Sequence, residues 1–147
     1  MSDPASNPPT DPASKKILVV DDDKNICAFF KTLLEAEGFV VDTLHGGEPA
    51  LEVLHSRGRL PYDLLILDLM MPKYGGYEVL KEMQKAEYQD VPIFVVTARV
   101  LDEDTINLIK SESNVQAFWS KPVDSWLFKN KIHAILRTIP LKNAKKA

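Results

Sequence analysis

The chain carries a single cysteine, Cys27, among 147 residues, so no intrachain disulfide can hold it together. Cys27 falls in an apolar helical stripe and reads as a small buried hydrophobe rather than a redox centre. No apolar run approaches the length of a membrane span, and the N-terminus lacks the apolar stretch of a secretion signal. An excess of either charge is also missing. The net charge of −3 gives no bulk electrostatic case for direct binding to nucleic acid or to an anionic membrane. No basic stripe, recognition helix or second domain is discernible, so output is expected through a protein partner or a domain outside this chain. A cytoplasmic protein is the default. Apolar residues at 45% and charged residues at 27% are ordinary, and the length favours one globular domain.

Proline gathers at the start. Residues 1–14 hold four prolines and little to bury, which predicts a disordered arm. The folded domain is expected over residues 15–139, with a short, solvated basic tail over 140–147.

Within those bounds, apolar runs alternate with helical patterns. Leu64-Leu65-Ile66-Leu67 reads as a strand buried on both faces, and it runs directly into Asp68. Pro72 forbids helix at Met71, so Asp68 closes a strand just before a loop. Other strands are expected at Ile17–Val20, Phe39–Thr43, Ile93–Val96 and Val115–Trp119. Helices follow each. Ile26, Phe29, Phe30, Leu33 and Leu34 mark the first, with Gly38 just past its end. Leu51 and Leu54 mark the second, Val79, Leu80 and Met83 the third, and Ile106, Leu108 and Ile109 the fourth. Asp102 or Asp104 is the expected cap of the fourth, and Asp124 or Ser125 of the fifth. The fifth is expected to carry its apolar face from Trp126 to Ile139. Five alternating β-α units imply a parallel sheet covered on both faces. The expected class is α/β, a flavodoxin-like doubly wound (βα)5 fold with strand order 2-1-3-4-5.

That order brings polar strand ends to one edge of the sheet. Strand 1 delivers Asp21 and Asp22, strand 3 Asp68, strand 4 Thr97 and strand 5 Lys121. Clustered carboxylates raise one another's pKa unless a cation joins them. Few, partly solvated, hard oxygen ligands suit Mg²⁺. A divalent ion, a lysine and a hydroxyl together make an electrostatic cradle for a phosphoryl group. Asp68 is then the candidate nucleophile, since carboxylates can form acyl phosphates.

Asp21-Asp22, Asp68 with Met71-Pro72 and Gly76, Thr97-Ala98, and Lys121-Pro122 together resemble the receiver domain of a two-component response regulator. The resemblance runs from about Lys16 to Ile139. It implies that Asp68 accepts a phosphoryl group from a sensor histidine kinase or a phosphotransfer protein. It implies Mg²⁺ (or Mn²⁺) held by Asp22, Asp68 and the backbone carbonyl of Met70, with Asp21 acting through water. Thr97 and Lys121 would bind phosphoryl oxygens, with Ala98 leaving room beside them. Thr97 and Phe118 would form the switch, and the Lys121–Pro122 bond would be cis. Such a domain phosphorylates and dephosphorylates itself and is not an enzyme on an external substrate. The changed surface would be the fourth helix, fifth strand and last helix, meeting a downstream protein. Met70 and Arg99 flank the acceptor and would tune dephosphorylation, here toward a slow rate. Gly75 stands where an Asp is frequent in the family. Trp119 and Trp126 read as packing residues rather than a partner surface.

Two other readings compete. Asp21-x-Asp23 resembles the motif of haloacid-dehalogenase-type phosphatases, with Asp21 as nucleophile and Asp23 as general acid. That family has Thr or Val where this chain has Asn25, and an acidic pair after the lysine where only Asp124 follows. It would leave Asp68 without a role. The other alternative is a receiver-like fold that serves only as a docking module, against which the intact site residues argue.

Overall fold

The computed structural model describes residues 9–56, 61–73, 75–98 and 100–140. Five parallel strands form one sheet in the order β2-β1-β3-β4-β5. They are β1 (Lys16–Val20), β2 (Val40–Leu44), β3 (Leu64–Asp68), β4 (Ile93–Thr97) and β5 (Val115–Ser120). The helices between and after them are α1 (Lys24–Glu35), α2 (Gly47–Ser56), α3 (Gly75–Glu82), α4 (Glu103–Lys110) and α5 (Ser125–Leu136). The flavodoxin-like expectation holds, and each strand boundary lies within a residue of the apolar run that announced it.

Side chains alternate across each strand, so every apolar run feeds two cores. Leu18, Val20, Leu65, Leu67 and Val95 face α2, α3 and α4, meeting Leu54, Val79, Leu80, Met83 and Ile109. Ile17, Val19, Leu64, Ile66, Phe94 and Val96 face α1 and α5, meeting Phe30, Leu34, Phe128 and Ile132. Central β3 and β4 are buried at every position. Edge strand β5 is only partly buried, which explains its weaker apolar signal. Trp119 packs at its end against Phe94 and Phe128, as expected of a packing residue. Trp126 is about half exposed on α5, so packing accounts for only part of its surface.

Caps choose between the open alternatives. Asp102 and Asp124, not Asp104 or Ser125, accept amide bonds at the starts of α4 and α5. Gly38 takes a positive φ of 99° just past α1, as its stop role requires.

Both ends of the domain depart from expectation. The last helix stops at Leu136 and does not reach Ile139, because Arg137 adopts a left-handed conformation. The arm, expected to be disordered through Ser14, is ordered from Thr10. Thr10 pairs with Thr138, Asp11 accepts the Ala13 amide, and Pro12 is buried. The cause is tertiary: the partner of Thr10 lies at the far end of the chain. Residues 1–8 of the arm and residues 141–147 of the basic tail lie outside the described residues. Among the described residues, no helix is long and apolar enough to cross a membrane.

Candidate functional site

Register alone assembles the site. Val20 pairs with Leu67, so the next residues, Asp21 and Asp68, stand side by side at the carboxyl edge. Asp68 pairs with Val96 and Thr97 with Ser120, which brings Thr97 and Lys121 to the same edge. The Lys121 amide donates to the Thr97 carbonyl at 2.9 Å and fixes the β5 exit. The Lys121–Pro122 peptide is cis.

Asp21 and Asp68 are both buried, whereas Asp22 is exposed. Carboxylate oxygens of the three approach within 4.8 Å of one another. Lys121 Nζ donates to Asp21 Oδ2 at 2.6 Å and reaches Asp68 Oδ2 at 3.4 Å. The Met70 amide donates to Asp68 Oδ1 at 3.1 Å. Burial, reinforced by the Asp21 charge, nevertheless holds the Asp68 pKa above the ordinary aspartate value. Burial also works to discharge Lys121, but its two carboxylate partners outweigh burial and raise its pKa. A partly exposed cluster of hard oxygen donors at a strand edge is the chemistry that receives a small divalent cation.

Thr97 ends β4 and is fully buried. Phe118 lies on the α4 face of β5, half-buried against the first core. Met70 is half-buried beside Asp68. Arg99 lies outside the described residues. Trp119 Nε1 is buried and finds no acceptor among the described residues.

Three supporting residues exceed what their sequence patterns announced. Asp23 Oδ1 accepts the amides of Asn25 at 2.8 Å and Ile26 at 3.3 Å, so its carboxylate caps α1. Asp23→Ala should therefore cost about 1 kcal/mol in urea unfolding. Cys27 is buried as expected, and its thiol donates to the Asp21 carbonyl at 3.2 Å. Burial, then the Asp21 charge, pushes that thiol up to about 11, which keeps it protonated and unreactive. Gly76 seats α3 on the exit of β3, its amide donating to the Leu69 carbonyl at 2.9 Å.

The family profile described as "Response regulator receiver domain" matches residues 17–133. This chain is a response regulator receiver domain. Its Asp21, Asp22, Asp68, Thr97 and Lys121 all fall within the matched span. The receiver is 38% identical over 122 residues to the transcriptional regulatory protein CpxR of Escherichia coli K12, covering 83% of this chain and 49% of that protein. It is 34% identical over 129 residues to the response regulator ArlR of Staphylococcus saprophyticus, covering 87% of this chain and 55% of that protein. The receiver thus spans about half the length of the curated relatives it matches. Among solved structures, the Francisella response regulator 1452 receiver domain superposes with a TM-score of 0.70 at 28% identity, over 83% of this chain and 96% of that one. A Burkholderia phymatum response regulator receiver protein gives 0.71 at 28% identity, over 86% and 98%. Response regulator receivers act in phosphorelay signalling, which places this domain among signalling proteins.

Proposed function

We propose that Asp68 is the phosphoacceptor of this receiver. A sensor histidine kinase or a phosphotransfer protein is the donor. The reading rests on one juxtaposition: a buried, raised-pKa carboxylate closing β3, beside Asp21 and Asp22, with Lys121 in reach. An Asp68 oxygen attacks phosphorus, the bond from phosphorus to the donor's imidazole nitrogen breaks, and its electron pair leaves with the ring. Asp22, Asp68 and the Met70 carbonyl would hold Mg²⁺ (or Mn²⁺), with Asp21 acting through water. When bound, the ion supplies charge neutralisation between the carboxylates and the incoming phosphoryl oxygens. Lys121 supplies a positive charge already oriented by Asp21. Thr97 offers a hydroxyl to another phosphoryl oxygen.

The phosphoryl group adds about −1.5 to −2 charges and three strong acceptor oxygens. Thr97 turning toward one of them, with Phe118 following, would change the surface of α4, β5 and α5. A downstream protein then reads that surface. Met70, whose thioether accepts hydrogen bonds only weakly, orients attacking water poorly and favours a long-lived acyl phosphate. Arg99 belongs to the same proposal, as a cover over the approach of water. The domain acts on itself and turns over no external substrate. Its net charge of −3 favours a protein partner over direct contact with nucleic acid or membrane, in a cytoplasmic setting.

The test is intact-mass measurement with acetyl phosphate as a small donor. With Mg²⁺, a single phosphoryl addition is expected, and EDTA should prevent it. A chain that stays unlabelled with Mg²⁺ would leave the docking-module reading standing, and one that labels equally in EDTA would overturn the metal's part in the proposal.

A further inference from the structure

On the side away from the candidate site, a chain of buried polar groups joins three distant parts of the sequence. Glu37, in the turn after α1, is buried, as are His133 near the end of α5 and Thr138 just beyond it. His133 Nε2 lies 2.9 Å from Glu37 Oε1, and Nδ1 lies 2.7 Å from Thr138 Oγ1. A carboxylate only accepts, so Nε2 carries the proton, and in the neutral ring Nδ1 accepts the threonine hydroxyl. The second carboxylate oxygen of Glu37 faces Lys129 Nζ at 3.4 Å. Phe39 lies against the imidazole, with ring centres 4.9 Å apart. Every polar atom of His133 is thereby engaged in one orientation.

This relay ends on the residue that holds the arm. The Thr10 amide donates to the Arg137 carbonyl at 2.9 Å, and the Ile139 amide donates to the Thr10 carbonyl at 3.1 Å. These bonds flank Thr138 on either side. The Asp11 carboxylate stiffens the next turn, and the Lys15 carbonyl accepts the Val40 amide, so the segment continues into β1. Between relay and arm stands Arg137, held at a φ of 57°, a conformation that residues with side chains resist. Thr138, which follows it, is fixed by its own amide donating to the His133 carbonyl at 3.0 Å and by the bridge to Thr10.

We propose that residues 10–15 form a strap that fastens the end of α5, with the Glu37–His133–Thr138 relay as its bolt. Strap and helix end are ordered together or released together. Release of the strap thereby loosens the last turn of α5, a helix of the proposed output surface. Nothing in this coupling passes through Asp68, and it stands whether or not Asp68 is the phosphoacceptor.

The test is amide hydrogen exchange, read by NMR on the full chain, in two variants. Thr138→Val keeps the shape and removes the hydroxyl, leaving His133 Nδ1 without its partner. Exchange at the Thr10 and Ile139 amides should quicken about tenfold, as for loss of a buried hydrogen bond. Amides of Leu65 and Ile66 in β3 should not change. Thr10→Pro removes one bridge donor from an exposed residue and leaves the relay chemically intact. It should quicken exchange at Ile139 and shift the His133 ring resonances, and it carries the test alone if Thr138→Val fails to fold. Unchanged protection of Thr10 in the first variant, or of Ile139 in the second, overturns the coupling. So does equal acceleration in β3, which would mean that the contacts only support the whole fold.

Discussion

Asp68→Asn should abolish phosphoryl uptake and, in the same molecule, raise the melting temperature at neutral pH. The loss follows from chemistry, because an amide is no nucleophile toward phosphorus and offers a far poorer seat for a cation. The gain follows from electrostatics. Asp68 is buried beside a second carboxylate, and its pKa is raised in the fold. A raised folded pKa means that the native state binds the proton more readily than the unfolded chain. The associated stability is fully present below the ordinary aspartate value of 3.8 and is lost as pH rises through the folded value. At neutral pH the ionised group therefore burdens the fold. The asparagine removes that burden while Lys121 keeps its 2.6 Å bond to Asp21. The variant's advantage should shrink as pH falls toward 3.8, because the wild-type carboxyl takes up its proton above that value in the fold. Intact mass with acetyl phosphate and Mg²⁺ reads the first effect, and thermal melts without Mg²⁺ across that pH range read the second. Full labelling of the variant sinks the acceptor assignment. A melting temperature that stays below wild type at neutral pH would show that Lys121 stabilises the ionised Asp68 more than burial opposes it.

The site was legible in the sequence because it depends on strand ends. A strand buried on both faces is a continuous apolar run, and the first polar residue after it marks the carboxyl edge. Asp21 and Asp68 were each found that way, Lys121 came from the Ser120-Lys121-Pro122 end of the weaker fifth strand, and parallel register then set them together. Asp23 looked like part of the acidic cluster, yet its carboxylate is spent on α1 amides. Composition cannot separate a ligand from a cap when both are aspartates at a strand-to-helix turn. The strap was illegible for a different reason. Thr10, Glu37, His133 and Thr138 are polar residues without periodicity, and each is satisfied only by partners remote in sequence or beyond a helix end. Ile139 kept the helical spacing of α5, which made the helix look longer than Arg137 permits. Burial of polar groups is a property of the finished packing, and no local pattern announces it.

Gly76→Ala is the substitution expected to damage the fold most, and it separates sterics from backbone preference. A Cβ at Gly76 would lie 2.1 Å from the Asp68 carbonyl oxygen, 2.3 Å from Leu69 Cα and 2.7 Å from the Asp68 carbonyl carbon. All of these are backbone atoms at or just past the end of a strand buried at every position, so no rotamer change can relieve the contact. Either α3 lifts from the sheet or the end of β3 moves, and the Gly76–Leu69 bond at 2.9 Å is strained in both cases. Overpacking that forces backbone shifts costs typically about 1–3 kcal/mol and sometimes more, and a loss of about 3 kcal/mol or more is expected here. Displacing the Asp68 main chain should also slow phosphoryl uptake, since a misplacement of about 1 Å can cost on the order of a hundredfold in rate. Gly75→Ala is the control. Gly75 has a φ of 61° but no clash, with Leu69 O the nearest atom at an ordinary contact distance of 3.7 Å. Its cost is conformational, about 1–2 kcal/mol, and Asp68 should stay in place. Urea unfolding and the initial rate of labelling compare the two variants directly. Equal losses of stability, or a Gly76→Ala chain that labels at the wild-type rate, would mean that α3 does not press on the exit of β3 and that Asp68 owes its position to the sheet alone.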